Sequence, residues 1–450
     1  MRSKKKMYSS TILVVLLVLA IVLVPVVLAL KGYFPGRQKK DIDNKGTSSN
    51  NGMSSNKGTS SNKGTSGKDM PGDITTAPEI DLTRQQINEM TLQEKIGQMV
   101  IVGFDGYTID EDIKMIIENY QIGGAILFQR NVKDAEQLLD LNNALKSINS
   151  KNKIPLFISV DEEGGRVSRM PKELEKLPVS GIIGEVNNEN ISYEIGSILA
   201  EELKCFGFNI NFAPVMDINS NPQNPVIGDR SFGSDAQIVS KLGVQMMKGI
   251  QSGGVISVVK HFPGHGDTSE DSHLNLPVVS HDLNRLMNFE LIPFKSAIDD
   301  NVDAIMIAHI LLNKIDPENP SSLSKTVIMD ILRNKLKFNG LVISDDITME
   351  AIVKNYNISD AAIRAVNAGC DIILVCHGYD NEIAVMDALK KAVESNIIPL
   401  ERINESVYRI LKLKGKYKIT DDQMDVRNLI NIQNINNKIK KIWEENVEKK

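Results

Sequence analysis

Eight short apolar runs recur along the chain from about residue 80, and this rhythm constrains the fold more than any other feature of the sequence. They are Met99–Val102, Ala125–Phe128, Leu156–Val160, Phe208–Phe212, Ile256–Val259, Ala304–Ile307, Leu341–Ile343 and Ile372–Val375. Each is uncharged and most are β-branched, as a parallel strand covered on both faces must be. Segments of helical period lie between them, such as Leu138, Leu141, Leu145 and Val239, Leu242, Met246. A strand-to-strand interval of about 25–50 residues is the size of a βα unit. The pattern predicts an α/β protein with a (β/α)8 TIM-type barrel over residues 81–418; an open doubly wound sheet is the alternative. The fourth run is the least strand-like, because Asn209 and Asn211 interrupt its apolar residues. The residues following the runs include Asp161, Asp217, Lys260-His261, His309, Asp345 and His377. Ionisable groups therefore recur at the C-terminal ends of several strands, the face on which barrels build active sites.

The flanks differ sharply from this body. Residues 1–40 carry eight basic residues and no acid, which leaves 44 Lys and Arg against 57 Asp and Glu in the rest. The net charge of −5 offers no footprint for nucleic acid. Residues 1–10 form a basic segment. Residues 11–30, Thr11 to Leu30, are uncharged and nearly all apolar, and about 20 such residues just cross a roughly 30 Å hydrocarbon core. A single-pass membrane anchor is expected here; the alternative is a signal peptide cleaved near Ala29, leaving a secreted protein. Residues 31–80 repeat Asn-Lys-Gly-Thr-Ser and read as a linker that cannot bury enough apolar surface to fold. Basic residues flank the apolar segment equally and leave its orientation open, but the spacer favours a catalytic domain outside the membrane. Residues 419–450 read as a charged helix or tail. The only three cysteines, Cys205, Cys370 and Cys376, exclude a disulfide framework.

Three segments carry candidate chemistry. Lys260 to His273 holds three of the six histidines, with Asp267, Glu270 and Asp271 among them. A metal site using His261, His265 and Asp345 is one reading, although Pro263 and Gly264 break the helical spacing that zinc proteases use. The other is an acid/base loop, in which Asp271 fixes the tautomer of His273 and leaves its second nitrogen to exchange protons. Gly264, Gly266 and Ser272 would permit that loop to move. In Gly340 to Asp346 a strand ends in Asp345, aimed at the barrel mouth. On an extended chain Asp345 and Asp346 should point to opposite sides, so one alone can face the site. Asp161 to Arg169 combines acids, Gly164-Gly165 and two arginines, and Gly228 to Gly233 adds Arg230. The plain alternatives are a solvated strand-end acid or helix cap for Asp345, a surface salt-bridge cluster for Asp161 to Arg169 and a helix-capping salt bridge for Arg230.

Taken together, Val160 to Arg166, Gly228 to Phe232, Lys260 to His265, Asp271-Ser272-His273 and Ile343 to Asp346 resemble family 3 glycoside hydrolases, in their bacterial β-N-acetylhexosaminidase branch. The resemblance runs from about Ile96 to Leu413. It implies that Asp345 is the nucleophile and that His273 with Asp271 is the acid/base dyad. Asp161, Arg169, Arg230, Lys260 and His261 would hold the hydroxyl and N-acetyl groups of a β-N-acetylglucosaminide glycan. It implies no cofactor and no metal, and leaves other β-glycosidases, a phosphorylase and, outside the family, a metal hydrolase as alternatives. With no room after residue 415 for the further domain that some members carry, all the chemistry should sit on the barrel.

Overall fold

The computed structural model describes residues 81–268 and 276–447. Among the described residues ten strands form: β1 (Val100–Gly103), β2 (Gly124–Leu127), β3 (Phe157–Val160), β4 (Ile210–Asn211), β5 (Ile256–Phe262), β6 (Val278–Val279), β7 (Ala304–Ile307), β8 (Leu311–Leu312), β9 (Leu341–Asp346) and β10 (Ile372–Val375). Eight of them close a parallel barrel in the order β1-β10-β9-β7-β5-β4-β3-β2. The pairings Ile101↔Leu374 and Ile101↔Gly124 join its last and second strands to its first. All eight apolar runs of the sequence contribute one strand each. β6 and β8 pair separately as a short two-stranded parallel ribbon.

The weak fourth run owes its strand to its asparagines. Asn209 accepts from the Ile158 backbone N–H at 2.9 Å and donates to the Leu156 carbonyl at 3.0 Å. Asn211 does the same for both backbone groups of Glu162, at 3.0 and 2.8 Å. The side chains thus extend the ladder to β3 where regular pairing covers only two residues of β4. Outside the barrel, the helices Glu189–Cys205 and Ala236–Ser252 bury apolar faces against each other and the strands. Gly196 and Gly249 let them approach closely, since a Cβ on either would stand 2.2 Å from a carbonyl oxygen of the facing helix.

At the N-terminal ends of the strands, charges close the barrel floor. Asp371 is fully buried and accepts from Arg333 Nη2 at 2.7 Å, Arg409 Nη1 at 3.0 Å and Ser406 Oγ at 2.8 Å, with Arg402 at 3.4 Å. Burial alone would raise its carboxyl; the three guanidiniums outweigh that and hold it below the usual range. Lys414 Nζ donates to Gln98 Oε1, Gly123 O and Pro155 O at 2.7, 2.9 and 2.6 Å, over the face of Phe157. Beyond residue 418, the helix Asn431–Ile442 buries Ile435, Ile439 and Ile442, and Trp443 Nε1 donates to the Lys176 carbonyl. Among the described residues, no helix is long and apolar enough to cross a membrane. The apolar segment Thr11–Leu30 and the repetitive segment 31–80 lie outside the described residues.

Candidate active site

The strands deliver their polar ends to one cavity of about 480 Å³ at the C-terminal mouth of the barrel. Asp161, Arg169, Arg230, Lys260, His261 and Asp345, nominated from sequence, all line it. Two strands run further than their apolar cores. Lys260 and His261 belong to β5 itself, where the sequence suggested the loop beyond, and β9 runs through Asp345 to Asp346, one residue past the expected end. The peptide between Lys260 and His261 is cis. One expectation fails: Asp345 and Asp346 both line the cavity. The register between β9 and β10 shifts between Ile372 and Leu374, so strict alternation of sides does not hold there.

A buried ammonium must be paired, and Lys260 is 2% exposed. Its Nζ lies 2.6 Å from Asp161 Oδ1 and 2.7 Å from Glu163 Oε1. Glu163 also receives a two-pronged fork from Arg230, Nε at 2.8 Å and Nη2 at 2.7 Å. Burial would raise the Glu163 carboxyl, but Arg230 and Lys260 hold it far below its ordinary value. Sequence reasoning gave Glu163 no role of its own. The Asp-Glu-Glu-Gly-Gly run was its signal, but the partners lie 67 positions or more away in the chain. Arg230 therefore makes a cross-loop pair rather than a helix cap. Arg166 binds Asp229 at 2.7 Å and two carbonyls of the same loop, so it fastens the segment bearing Arg230. Arg169 is placed through its backbone, which donates to Glu162 Oε2 at 2.7 Å. Burial raises the Glu162 carboxyl to about 7.

Asp345 accepts the backbone N–H of Asp346 at 2.9 Å. Its burial favours the neutral acid; His309, His261, that N–H and Lys260 outweigh it, and the carboxyl lies below its ordinary value, ionised near neutral pH. Asp346 instead ties down the turn, accepting from Thr348 N, Thr348 Oγ1 and Cys376 N at 2.9, 2.6 and 3.0 Å. His309, fully buried, lies 2.9 Å from the Asp346 carbonyl through Nε2 and 2.6 Å from Ser322 Oγ through Nδ1. His377 stands at the rim with its ring 5.6 Å from Phe128. His265 lies under the cavity beside Thr268 Oγ1, and burial pushes it down to about 4. Asp217, fully buried, accepts from the ring of His261 at 2.6 Å and the backbone of His265 at 2.6 Å. Among the described residues no three His, Cys, Asp or Glu side chains converge as a metal's ligand set.

Asp271 and His273, the expected acid/base pair, lie outside the described residues. Two of the glycines expected to loosen their loop have steric reasons to be glycine. Gly264 has a φ of +123°, and a Cβ on Gly266 would stand 1.7 Å from the Ile218 carbonyl oxygen.

Comparison with known proteins decides the family. The glycosyl hydrolase family 3 N-terminal domain matches residues 91–413. The chain belongs to glycoside hydrolase family 3. As a family 3 member it is 34% identical over 393 residues to a β-hexosaminidase A of Pseudoalteromonas piscicida, covering 78% of this chain and 64% of that one. A β-hexosaminidase of Nitrosomonas eutropha is 36% identical over 318 residues, covering 68% and 90%. Among solved structures, a family 3 β-N-acetylglucosaminidase from Paenibacillus sp. str. FPU-7 superposes with a TM-score of 0.75 at 40% identity, covering 79% of this chain and 69% of that one. In this family 3 barrel the cysteines are buried, burial raises the thiols of Cys370, to about 12, and of Cys376, and Cys376 also lines the cavity.

Proposed function

We propose that this family 3 enzyme is a retaining β-N-acetylhexosaminidase that removes terminal β-linked N-acetylglucosamine. The observation that carries the reading is Asp345, held ionised by its neighbours, in a polar cavity that Lys260, His261 and Arg230 also line. The β-hexosaminidases among its relatives support the same sugar class. Asp345 attacks the anomeric carbon while protonated His273, oriented by Asp271, gives its proton to the departing glycosidic oxygen. The glycosyl–Asp345 ester forms through an oxocarbenium-like transition state. His273, now neutral, takes a proton from water, which attacks the same carbon and releases the sugar with retained configuration. Asp161, Lys260, His261, Arg169 and Arg230 bind the sugar's hydroxyl and acetamido groups.

The protein, assayed in chelator on aryl β-N-acetylglucosaminide and aryl β-glucoside, should strongly prefer the N-acetyl sugar. Equal rates on both would overturn the substrate class, and activity that returns only with a divalent ion would overturn the metal-free mechanism. His273→Ala should slow poor leaving groups far more than activated ones; equal loss on both would remove His273 from the acid role. We further propose that Thr11–Leu30 anchors the enzyme with its barrel outside, facing wall-derived glycans. Release of the barrel from intact cells by external protease is the expected result.

A further inference from the structure

The environment of Asp217 reaches beyond packing. Its Oδ2 lies 2.6 Å from His261 Nδ1, its Oδ1 lies 2.6 Å from the His265 backbone nitrogen, and the His261 backbone nitrogen is 3.3 Å from both oxygens. The side chain is wholly buried. Both of its oxygens face backbone N–H donors, the surroundings of an ionised carboxylate. An ionised carboxylate only accepts, so the hydrogen on the ring belongs to Nδ1. On the other side of the ring, Nε2 lies 3.4 Å from Arg230 Nη2, and a guanidinium only donates. A hydrogen on Nε2 would point at those donors and set a third cation beside Arg230 and Lys260. The two neighbours leave one arrangement, with hydrogen on Nδ1 and the lone pair on Nε2.

We propose that Asp217 is a positioning residue that locks His261 in the Nδ1–H tautomer, so that its Nε2 meets the substrate as a hydrogen-bond acceptor. A ligand atom that reaches Nε2 must then be a donor that shares or takes over the lone pair Arg230 Nη2 faces at 3.4 Å: a sugar hydroxyl or the N–H of an acetamido group. A carboxylate or phosphate oxygen there would face the lone pair. His261 cannot supply the proton for the leaving group, so that proton comes from another residue. The choice of a sugar as ligand rests on the hydrolase reading above; the tautomer does not.

A double-mutant cycle on the aryl β-N-acetylglucosaminide tests the coupling. Asp217→Asn should lower kcat/KM roughly 10–100-fold in the wild-type background. In a His261→Ala background the same change should cost less than about twofold, because the ring through which it acts is gone. Equal losses in both backgrounds would make Asp217 a structural residue and overturn the proposal. Ring-¹⁵N NMR of the histidine-labelled protein decides independently of turnover and of whether Asp217→Asn folds, with the His261 signals assigned by their loss in His261→Ala. A pyrrole-type Nδ1 and a pyridine-type Nε2 are expected. The reverse pattern, or two pyrrole-type nitrogens, would overturn the tautomer even if the enzyme hydrolyses the N-acetyl sugar. The expected pattern in a protein without that activity would leave the tautomer standing and the hydrolase reading broken.

Discussion

The two ends of this barrel both bury charge, and they do so to opposite purposes. At the floor, one carboxylate, Asp371, is enclosed by Arg333, Arg402 and Arg409, and Lys414 has three oxygen partners. At the mouth, Lys260, Glu163, Arg230 and Asp161 form a chain of pairs whose outer members line an open cavity. At the floor the buried carboxylate of Asp371 and the amine of Lys414 find their partners within the protein, whereas mouth groups are fixed on one side and presented on the other. Pairing that closes on itself stabilises; pairing left open on one side prepares a surface for a polar ligand.

The contrast can be broken or sharpened by substitution. Asp345→Asn, at the mouth, should lower kcat/KM by roughly 10⁴-fold or more while the melting temperature holds, measured by steady-state kinetics and calorimetry. Asp371→Asn, at the floor, should do the reverse: a loss of about 3–5 kcal/mol in urea unfolding, with turnover per folded molecule unchanged. The same substitution should also flatten the acid limb of stability. The Asp371 carboxyl is depressed in the fold, so its contribution is present above the ordinary carboxylate range and disappears as pH falls through its lowered value. Asn209→Ala should cost about 1–3 kcal/mol, because it leaves the Ile158 N–H and Leu156 carbonyl with lost partners; unfolding curves would read it, and rates should not move. The smallest effect is a slope. Glu162 is raised in the fold to about 7, so its contribution is complete below its unfolded value, roughly 4.3, and is lost as pH rises toward 7. Glu162→Gln should remove the Glu162 share of that decline from a pH series of melting temperatures and leave the share of buried Glu202, whose carboxyl burial also raises.

Seven of the barrel strands were legible because a parallel strand buried on both faces is an apolar run; the fourth was the weakest, since Asn209 and Asn211 break its apolar residues while their side chains bond the neighbouring strand. Their functional ends were legible as residues but not as structure. Lys260, His261, Asp345 and Asp346 interrupt the hydrophobic pattern while the backbone goes on pairing, so the strands read shorter than they are. The expectation that only one of the two aspartates could face inward failed at a register shift, which leaves no mark in composition. Glu163 and Asp217 stood in plain view within polar motifs, yet their importance lies in partners 44 to 97 positions away. The floor was not legible for the same reason: sequence reasoning gave Asp371 and its arginines no role, because the partners lie 31 to 38 positions apart and meet only in the fold.

Lys414 gives this architecture a history as well as a shape. The backbone oxygens it binds precede the second and third strands, yet it follows Gly123 by 291 residues and Pro155 by 259. At about 5–20 residues per second, a ribosome needs roughly 15–60 s to travel from the first of these to the lysine. Until then the nascent strands have carbonyls without their Lys414 donor and edges without neighbours, and the barrel closes only once residue 414 has been made.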